Sequence, residues 1–254
     1  MARANPEFRK KIAERFLSYY KRMEVQKYIL PYHFHRETAL IGITNDKEYP
    51  YKKIRNLKLD DEKSFFYSII RKFEVFKEPY NLYHSCASYR NGLPIFYYSG
   101  DSKETVKERQ IQWLMCCSKQ TESYDMSIDI DSPSFSKLKI AAQDTLRIAN
   151  IISKRHEIEV RFTGCGFHII LKNYWKGTEL KKKDMDKMKK FAEKYKNTQS
   201  ELVDTHVIEP RRVIKTPHSL VYREGYRNIM KCEKMELVEL QDFDQEAYIY
   251  EKLF

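Results

Sequence analysis

Residues 124–132, with the sequence YDMSIDIDS, place the strongest constraint on how this chain can fold. Apolar residues alternate there with acids and a serine, a period typical of a strand with one face on a core and the other face polar. Pro133 then ends the strand, because proline cannot donate a hydrogen bond to a neighbouring strand. Asp129 and Asp131 are therefore expected side by side on the polar face, near the strand end.

Two neighbouring carboxylates repel each other unless a cation lies between them, and Mg²⁺ prefers oxygen ligands of this kind. The Asp129 and Asp131 pair is thus a candidate metal site. A solvated polar face with no ligand fits the same pattern, so this stretch by itself leaves both interpretations open.

The charge of the chain indicates a polyanionic partner. Its 254 residues carry 47 Lys and Arg against 36 Asp and Glu, a formal net charge of +11. Such a balance is typical of proteins that bind nucleic acid or nucleotides, although a generally lysine-rich composition explains it as well. The 14% of aromatic residues indicates a folded chain with a sizeable core.

The cysteines and the hydropathy pattern predict a cytoplasmic, intracellular protein. Five cysteines form an odd set without a Cys-x-x-Cys pair, which favours neither a disulfide framework nor a zinc ribbon. No apolar run is long enough to span a membrane, and the N-terminus lacks the apolar core of a signal peptide. We therefore expect no membrane partner.

Periodicity and turn residues predict a mixture of helices and strands. Helices are expected at 6–30, 60–73, 102–114, 136–154 and 178–199, and strands at 35–43, 82–89, 95–98, 124–132, 157–162, 167–172, 201–207 and 226–232. The order of strand, helix and strand around residues 136–154 predicts a crossover connection.

A second segment with chemical potential is the turn from Thr163 to His168, with the sequence TGCGFH. Gly164 and Gly166 allow backbone amides to approach a ligand closely, and Thr163 adds a hydroxyl. His168 is expected to point into the same cleft as the acids. A purely structural turn and histidine fit this pattern too.

A third segment, residues 203–222, combines Asp204 with the cations Arg211, Arg212 and Lys215. A metal-bound triphosphate needs carboxylates for the ion and cations for the phosphates that the ion does not cover. The alternative is a patch of surface ion pairs.

The order of these three segments resembles the archaeo-eukaryotic primase superfamily, the catalytic subunits of primases and related primase-polymerases. That family has a strand with two alternating aspartates, then a Ser-Gly-basic-Gly-x-His turn, then a third aspartate followed by a basic and Ser-Leu-rich segment. The matching residues are Ile128 to Asp131, Thr163 to His168, and Asp204 with Arg212, Lys215, Pro217, Ser219 and Leu220. Arg36-Glu37 and residues 82–94 resemble two upstream segments, so the resemblance covers about residues 15–230.

The resemblance implies an α+β primase-polymerase fold. An N-terminal α/β module at about 1–120 is expected to pack on an RRM-like, palm-like module at 121–240, which has a mixed sheet and flanking helices. Residues 241–254 are expected to form a tail. The whole chain, 1–254, is thus expected to be one catalytic domain.

The resemblance also implies template-dependent nucleotidyl transfer, in which a DNA primase or polymerase makes or extends primers on single-stranded DNA. Asp129, Asp131 and Asp204 are expected to be catalytic and to hold two Mg²⁺ or Mn²⁺ ions, with NTP or dNTP as substrate. The expected nucleotide-binding residues are Thr163, Gly164, His168, Arg212, Lys215, Arg211, Ser219 and Arg36.

The chain departs from the family pattern at several positions. Cys165 lies where the glycine turn has a basic residue, Thr163 replaces the serine, and Val221 replaces a histidine that often follows Ser-Leu. No zinc knuckle separates the acidic strand from the glycine turn, so no zinc is expected. The missing zinc knuckle points to the minimal forms of plasmids, viruses, CRISPR loci or bacterial break repair, and away from a chromosomal replicative primase. Helicase or accessory primase domains or subunits are candidate partners.

Two other functions remain open from the sequence. His33-Phe34-His35 fits the metal motif of a rolling-circle nuclease, with Tyr124 or Tyr19 as its nucleophile. A catalytically inert nucleic-acid-binding module on a related fold is the other. The residues do not determine whether the enzyme starts new primers or only extends them. They also do not determine whether it prefers ribonucleotides or deoxyribonucleotides.

Overall fold

A computed structural model describes residues 6–43, 51–94, 103–206, 208–223 and 228–252. The helices are α1 (Pro6–Tyr20), α2 (Met23–Ile29), α3 (Glu62–Phe65), α4 (Arg71–Phe76), α5 (Lys103–Gln120), α6 (Leu138–Ile152), α7 (Lys182–Thr198) and α8 (Leu237–Gln241). A π-helical turn, Phe66–Ile70, joins α3 to α4.

The strands form three sheets. They are β1 (Thr38–Ile43), β2 (Tyr51–Leu57), β3 (Tyr80–Ser85), β4 (Ala87–Tyr89), β5 (Thr121–Asp131), β6 (Ile158–Phe162), β7 (Gly166–Lys176), β8 (Val203–Asp204), β9 (Val213–Lys215), β10 (Leu220–Val221), β11 (Asn228–Lys231), β12 (Glu233–Met235) and β13 (Ile249–Lys252). The predicted α+β class is therefore observed.

The central sheet has the order β12-β6-β7-β5-β4, and the short β8 pairs with the end of β5 that β4 does not reach. Since β5 and β6 are both antiparallel to β7, they run parallel to each other, with α6 as the predicted crossover. The tight turn at 163–166 returns β7 between them, so the prediction of a mixed sheet is wrong. Every ladder between the described strands is antiparallel.

One face of the central sheet packs on α6 and α7. Ile128 and Ile130 of β5 lie opposite Ile169 and Phe167 of β7, and all four are buried with the apolar positions of the two helices. Burial of one such side chain contributes roughly 1.5–3 kcal/mol. This packing fixes which face β5 turns to the core, and the alternation of its residues then leaves the acids on the opposite face.

A second sheet, of order β2-β1-β3-β9, packs against the N-terminal helices. Its core is aromatic, with Tyr20 of α1 between the rings of Phe65 and Phe73. Asp61 begins α3 in a capping box with Ser64, which satisfies backbone amides that the first helical turn leaves free. The sheet and its helices thus form a second hydrophobic core.

The two sheets exchange strands. β4, from the N-terminal half of the chain, pairs with β5 in the central sheet. β9, from the C-terminal half, pairs with β3 in the second sheet. The division predicted near residue 120 therefore does not separate the sheets. The predicted tail is also part of the fold, because β13 pairs with β11 in a small sheet of order β10-β11-β13.

Several predicted elements are broken or shorter in the structure. The first predicted helix breaks after Tyr20, and β1 begins only at Thr38 because His35 has a φ of 58°. The predicted strand at 201–207 is limited to Val203–Asp204, and the one at 95–98 lies outside the described residues. In the described ranges, none of the helices combines the length and apolar character needed to cross a membrane.

Candidate active site

Five polar side chains form a row across the face of the central sheet that is turned away from α6. Asp204 of β8 is the register partner of Asp129, Asp129 is the partner of His168, His168 of Arg161, and Arg161 of Lys234. Residues directly opposite each other in antiparallel strands share a face, so all five project to the same side. The row runs from two acids through a histidine to two cations.

A cavity of about 410 Å³ lies between this face and the second sheet. Five of the residues predicted from the sequence line it, namely Asp129, Asp131, His168, Arg212 and Lys215. The fold therefore brings acids and cations from separate parts of the chain into one space.

The sequence analysis missed six polar residues of the same cavity, which are Lys53, Arg55, Asn81, Tyr83, Glu209 and Arg223. Lys53 and Arg55 alternate along β2, so the period of a strand was present in the sequence YKKIRNL. No local signal indicated that β2 would face the acids, because that depends on how the two sheets pack.

Asp129 is almost fully buried and strongly held. The Ser127 hydroxyl donates to Asp129 Oδ1 at 2.7 Å, the Arg212 guanidinium donates to Oδ2, and His168 Nε2 is 3.5 Å from Oδ1. Burial alone disfavours the charged carboxylate, but His168, Arg212 and Ser127 outweigh it, and the pKa of Asp129 is lowered. Asp129 is therefore an anion at neutral pH.

Asp131 ends β5 and keeps solvent exposure as a residue, but it also lines the cavity, where the surrounding protein partly desolvates its carboxyl group. Within the described residues its carboxylate has neither a hydrogen bond nor an ion pair. Burial of the group and the charges of Asp129 and Asp204 raise the pKa of Asp131, although Lys215 and Arg223 oppose this shift. After burial, repulsion from the neighbouring carboxylates is the main reason that the pKa of Asp131 is raised.

The donor set fits a hard divalent cation. Asp129 and Asp131 supply carboxylate oxygens on one strand face, and a cation between them relieves the repulsion that raises the pKa of Asp131. The described residues do not already gather three or more His, Cys, Asp or Glu side chains around one point. Asp204 is half-buried beside Asp129, and its Oδ1 accepts a hydrogen bond from the His206 amide.

His168 is buried, and its pKa is lowered to about 3, chiefly because burial disfavours the charged ring and despite the attraction of Asp129. Its Nδ1 atom has no hydrogen-bond partner among the described residues. The ring is thus neutral at physiological pH, and its buried Nδ1 atom is unsatisfied within the described residues.

The two glycines of the 163–166 turn serve close packing. A Cβ on Gly166 would lie 2.4 Å from the Ile130 carbonyl oxygen, and a Cβ on Gly164, whose φ is +80°, would lie 2.9 Å from Val221. Thr163 is buried, and its amide donates to the Gly166 carbonyl. Neither Thr163 nor Gly164 lines the cavity.

Lys215 supplies a cation at this turn from β9. Its Nζ atom is 2.9 Å from the Cys165 sulfur, and both residues line the cavity. Burial opposes the charge, but the Cys165 sulfur, Tyr83 and Asp131 raise the pKa of Lys215 above its ordinary value. Lys215, from a strand distant along the chain, thus places a positive charge at the turn whose own sequence lacks a basic residue.

Arg36 and Ser219, both predicted to bind nucleotide, contact the protein itself. Arg36 donates to the carbonyl of Ser85 at 2.7 Å and to Asp125 at 2.8 Å, which joins the second sheet to the central one. The Ser219 hydroxyl donates to the carbonyl of Thr216. Neither residue lines the cavity.

Arg211 also contacts the protein itself, whereas its neighbour Arg212 lines the cavity. Its guanidinium donates to buried Glu37 and to Asn56, and it lies 4.0 Å from the centre of the Trp113 ring. Arg55 binds Glu37 from the other side. Arg211 therefore holds structure together outside the cavity, while Arg212 reaches Asp129.

His33 and His35 do not form the paired metal ligands of a rolling-circle nuclease. They lie in a turn before β1, and both ring nitrogens of buried His33 contact threonine hydroxyls, those of Thr38 and Thr216. Burial and nearby Arg36 lower the pKa of His33 to about 3. His35 stacks on Phe34 instead, with ring centres 4.2 Å apart.

The tyrosines considered for that nuclease are also engaged. The Tyr19 hydroxyl donates to the His218 carbonyl and the Tyr124 hydroxyl to the Glu209 carbonyl, each at 2.7 Å, and both side chains are buried. His33 and His35 therefore do not form the metal site that the nuclease interpretation needs, and neither Tyr19 nor Tyr124 has a free hydroxyl to act as its nucleophile.

Comparison with known proteins gives a result for the fold. No family model matches the chain, and no curated protein matches it in sequence. Among solved structures, the chain is similar to the polymerase domain from Mycobacterium tuberculosis Ligase D in complex with DNA. The TM-score is 0.52 at 9% sequence identity, over 91% of this chain and 83% of that one. The likeness shows a shared fold.

Proposed function

We propose that this protein is a template-dependent nucleotidyltransferase, a DNA primase or polymerase that makes or extends primers on single-stranded DNA. One observation carries the proposal: Asp129 and Asp131 share a single cavity with Arg212 and Lys215. Carboxylates for a metal ion beside cations for phosphates are what transfer from a nucleoside triphosphate requires. A fold similar to that of a DNA-bound polymerase domain supports it.

In this reaction a primer 3′-hydroxyl attacks the α-phosphorus of the triphosphate, and pyrophosphate leaves. Asp129 and Asp131, with Asp204 beside them, would hold the metal ions. Bound Mg²⁺ or Mn²⁺ would lower the pKa of the 3′-hydroxyl and stabilise the charge of the leaving pyrophosphate. The fit of the site to such ions rests on the carboxylate of Asp131, which has no partner among the described residues and whose pKa is raised.

The cations of the cavity would bind the phosphates. Lys53, Arg55, Arg212, Lys215 and Arg223 line it together with the carboxylates of Asp129, Asp131 and Glu209, so cations outnumber acids. Arg212 pairs with Asp129, and its planar guanidinium can also present two parallel donors to a phosphate. Lys215 provides a point charge at the glycine turn.

His168 would bind the triphosphate as a neutral ring. Its lowered pKa keeps it uncharged at neutral pH, and its Nδ1 atom has no partner among the residues described. A neutral histidine next to Asp129 can donate one hydrogen bond to a phosphate oxygen without adding a charge to the site.

The test is incorporation of labelled nucleotides on single-stranded DNA, with and without a primer, in Mg²⁺ or Mn²⁺. Asp131→Ala should abolish incorporation, while Asp242→Ala, which removes another exposed carboxylate, should leave it unchanged. Products without a primer would establish a primase, and products only with a primer a polymerase. DNA binding without any incorporation would contradict the proposal and favour the inert binding module.

A further inference from the structure

The helical side of the central sheet carries a second cavity, on the face away from the candidate active site. It measures about 260 Å³ and lies between the C-terminal end of α6 and the C-terminal half of α7. Its lining combines apolar, aromatic and cationic residues, namely Ile151, Ile152, Lys154, Arg155, His156, Phe191, Lys194 and Tyr195. Nothing in the proposed reaction uses this region.

Aromatic rings form one wall of the cavity. The Phe191 ring lies 5.8 Å from His156 and 5.2 Å from Tyr195, measured between ring centres, and Tyr174 of β7 packs behind it at 5.5 Å. Phe191 and His156 are half-buried, so each ring keeps part of its surface exposed. Such a cluster offers a flat apolar surface of the kind on which a nucleobase stacks.

Lysines of α7 flank this wall. Lys187 lies four residues before Phe191 and Lys194 three residues after it, so at 3.6 residues per turn all three share one face of the helix. Lys183, one turn earlier, continues the line. All three lysines are exposed, and none of them is ion-paired with an acid in the described ranges.

The opposite wall is cationic too. Lys154 and Arg155 follow the end of α6, and both are exposed. The acid of α7 nearest to this side, Asp184, accepts a hydrogen bond from the Lys181 amide at the start of the helix. Its carboxylate is therefore engaged two turns away from Phe191, and the cations around the aromatic wall are not neutralised by it.

We propose that this surface of α6 and α7 binds a single strand of DNA, with one base stacked against Phe191 and His156 and the adjoining phosphates on Lys187, Lys194 and Arg155. Only an unpaired base presents a free ring face, and a row of lysines tracks the backbone on either side of it. The choice of DNA as the strand rests on the proposed function. The surface would hold a strand at a place separate from the catalytic cleft.

The test compares two double charge reversals on the same helix. Lys187→Glu with Lys194→Glu changes the face that carries Phe191, and Lys182→Glu with Lys189→Glu changes the other flank with the same spacing and net charge. Binding of fluorescein-labelled oligothymidylate of about 16 nucleotides is followed by anisotropy without divalent metal. The first pair should lower affinity about tenfold and reduce the salt dependence by about 1.4 in logarithmic slope. The second pair should lower affinity about twofold at most.

A third variant separates stacking from charge. Phe191→Leu keeps an apolar side chain in the core but removes the ring, and it should lower affinity for oligothymidylate about fivefold. The same variant should bind heparin, a polyanion without bases, as the wild type does. Loss of heparin binding together with DNA binding, or equal effects of the two charge reversals, would overturn the proposal. Tighter binding to anionic lipid vesicles than to DNA would overturn it as well.

The result is separable from that of the incorporation assay. Asp131→Ala should bind oligothymidylate normally at this surface although it incorporates no nucleotide. If no version of the protein incorporates nucleotides but Lys187→Glu with Lys194→Glu still loses the strand, the surface stands and the proposed function fails. If the wild type polymerises and none of the α7 variants weakens binding, the function stands and the surface fails.

Discussion

His168 lies directly opposite Asp129 on the neighbouring strands β7 and β5, with its Nε2 atom 3.5 Å from Asp129 Oδ1. Both side chains are almost fully buried, with exposed fractions of 8% for His168 and 4% for Asp129. The pair therefore lies in a low-dielectric environment at the centre of the cleft, in which the charges of Arg212 and Asp131 have large effects.

The two strand acids should affect stability in opposite directions. At neutral pH without metal, Asp129→Asn should destabilise the fold by about 3 kcal/mol, because it leaves Arg212 without its buried partner. Asp131→Asn should raise the melting temperature by about 1–2 °C, since a carboxyl whose pKa is raised on folding opposes folding once it ionises. Thermal unfolding of each variant measures this.

Mg²⁺ provides the control for that pair. It should raise the melting temperature of the wild type, because an ion that binds only the folded state stabilises it, and it should do so far less in Asp131→Asn. A wild-type protein that melts at the same temperature with and without millimolar Mg²⁺ or Mn²⁺ would argue against a metal site at Asp129 and Asp131.

Both adjacent arginines hold a buried acid, Glu37 or Asp129, but only Arg212 should affect nucleotide binding. Arg212→Ala should raise KM for the nucleoside triphosphate about tenfold, because it removes a charge-assisted hydrogen-bond donor from the cavity. Arg211→Ala should cost about 1–3 kcal/mol of stability through its lost contacts with Glu37 and Trp113. Its KM should stay near that of the wild type. Steady-state kinetics with unfolding curves for both variants decide the point.

Thiol labelling should distinguish Cys165 from the deeper cysteines. Burial raises the pKa of Cys86, Cys117 and Cys232 to about 12 each, so these three should resist alkylation in the native protein. Cys165 lines the cavity and should react with iodoacetamide, and Mg²⁺ with a nucleoside triphosphate should protect it. Peptide mass spectrometry reads out each site. Protection of half-buried Cys116 to the same degree would mean that the effect is not local.

Stability should fall steeply below pH 6.5 because three histidines are buried uncharged. Burial lowers the pKa of His33 and of His168 to about 3 and that of His84 well below its ordinary value. The unfolded chain therefore gains three protons that the folded chain does not, and stability drops as the pH falls. The slope should approach about 4 kcal/mol per pH unit near pH 5.

Urea unfolding at pH 7 and pH 5 measures that slope. His84→Gln should reduce it by about a third, since Gln can keep a hydrogen bond to the Thr216 hydroxyl but does not titrate. His35→Gln, outside this network, should leave it unchanged. An unaltered slope in His84→Gln would show that the acid sensitivity arises elsewhere.

Short-range patterns in the sequence determined much of the site. The alternation around Asp129 and Asp131 predicted both the strand β5 and its polar face, because the period of a strand is a local property. The glycine turn before His168 was also predictable, since Gly166 faces a backbone approach that no other residue tolerates. The α+β class followed from the same periodicities.

Tertiary structure decided which cations serve the cavity. Arg211 and Arg212 are adjacent and chemically identical, and only the packing of Glu37 and Trp113 assigns one to structure and leaves the other for Asp129. β9 carries Lys215 to the glycine turn only because it pairs with β3. The sequence by itself thus determined the strand, its acids and the turn. Strand exchange and sheet packing join residues distant along the chain, and no local period encodes those contacts.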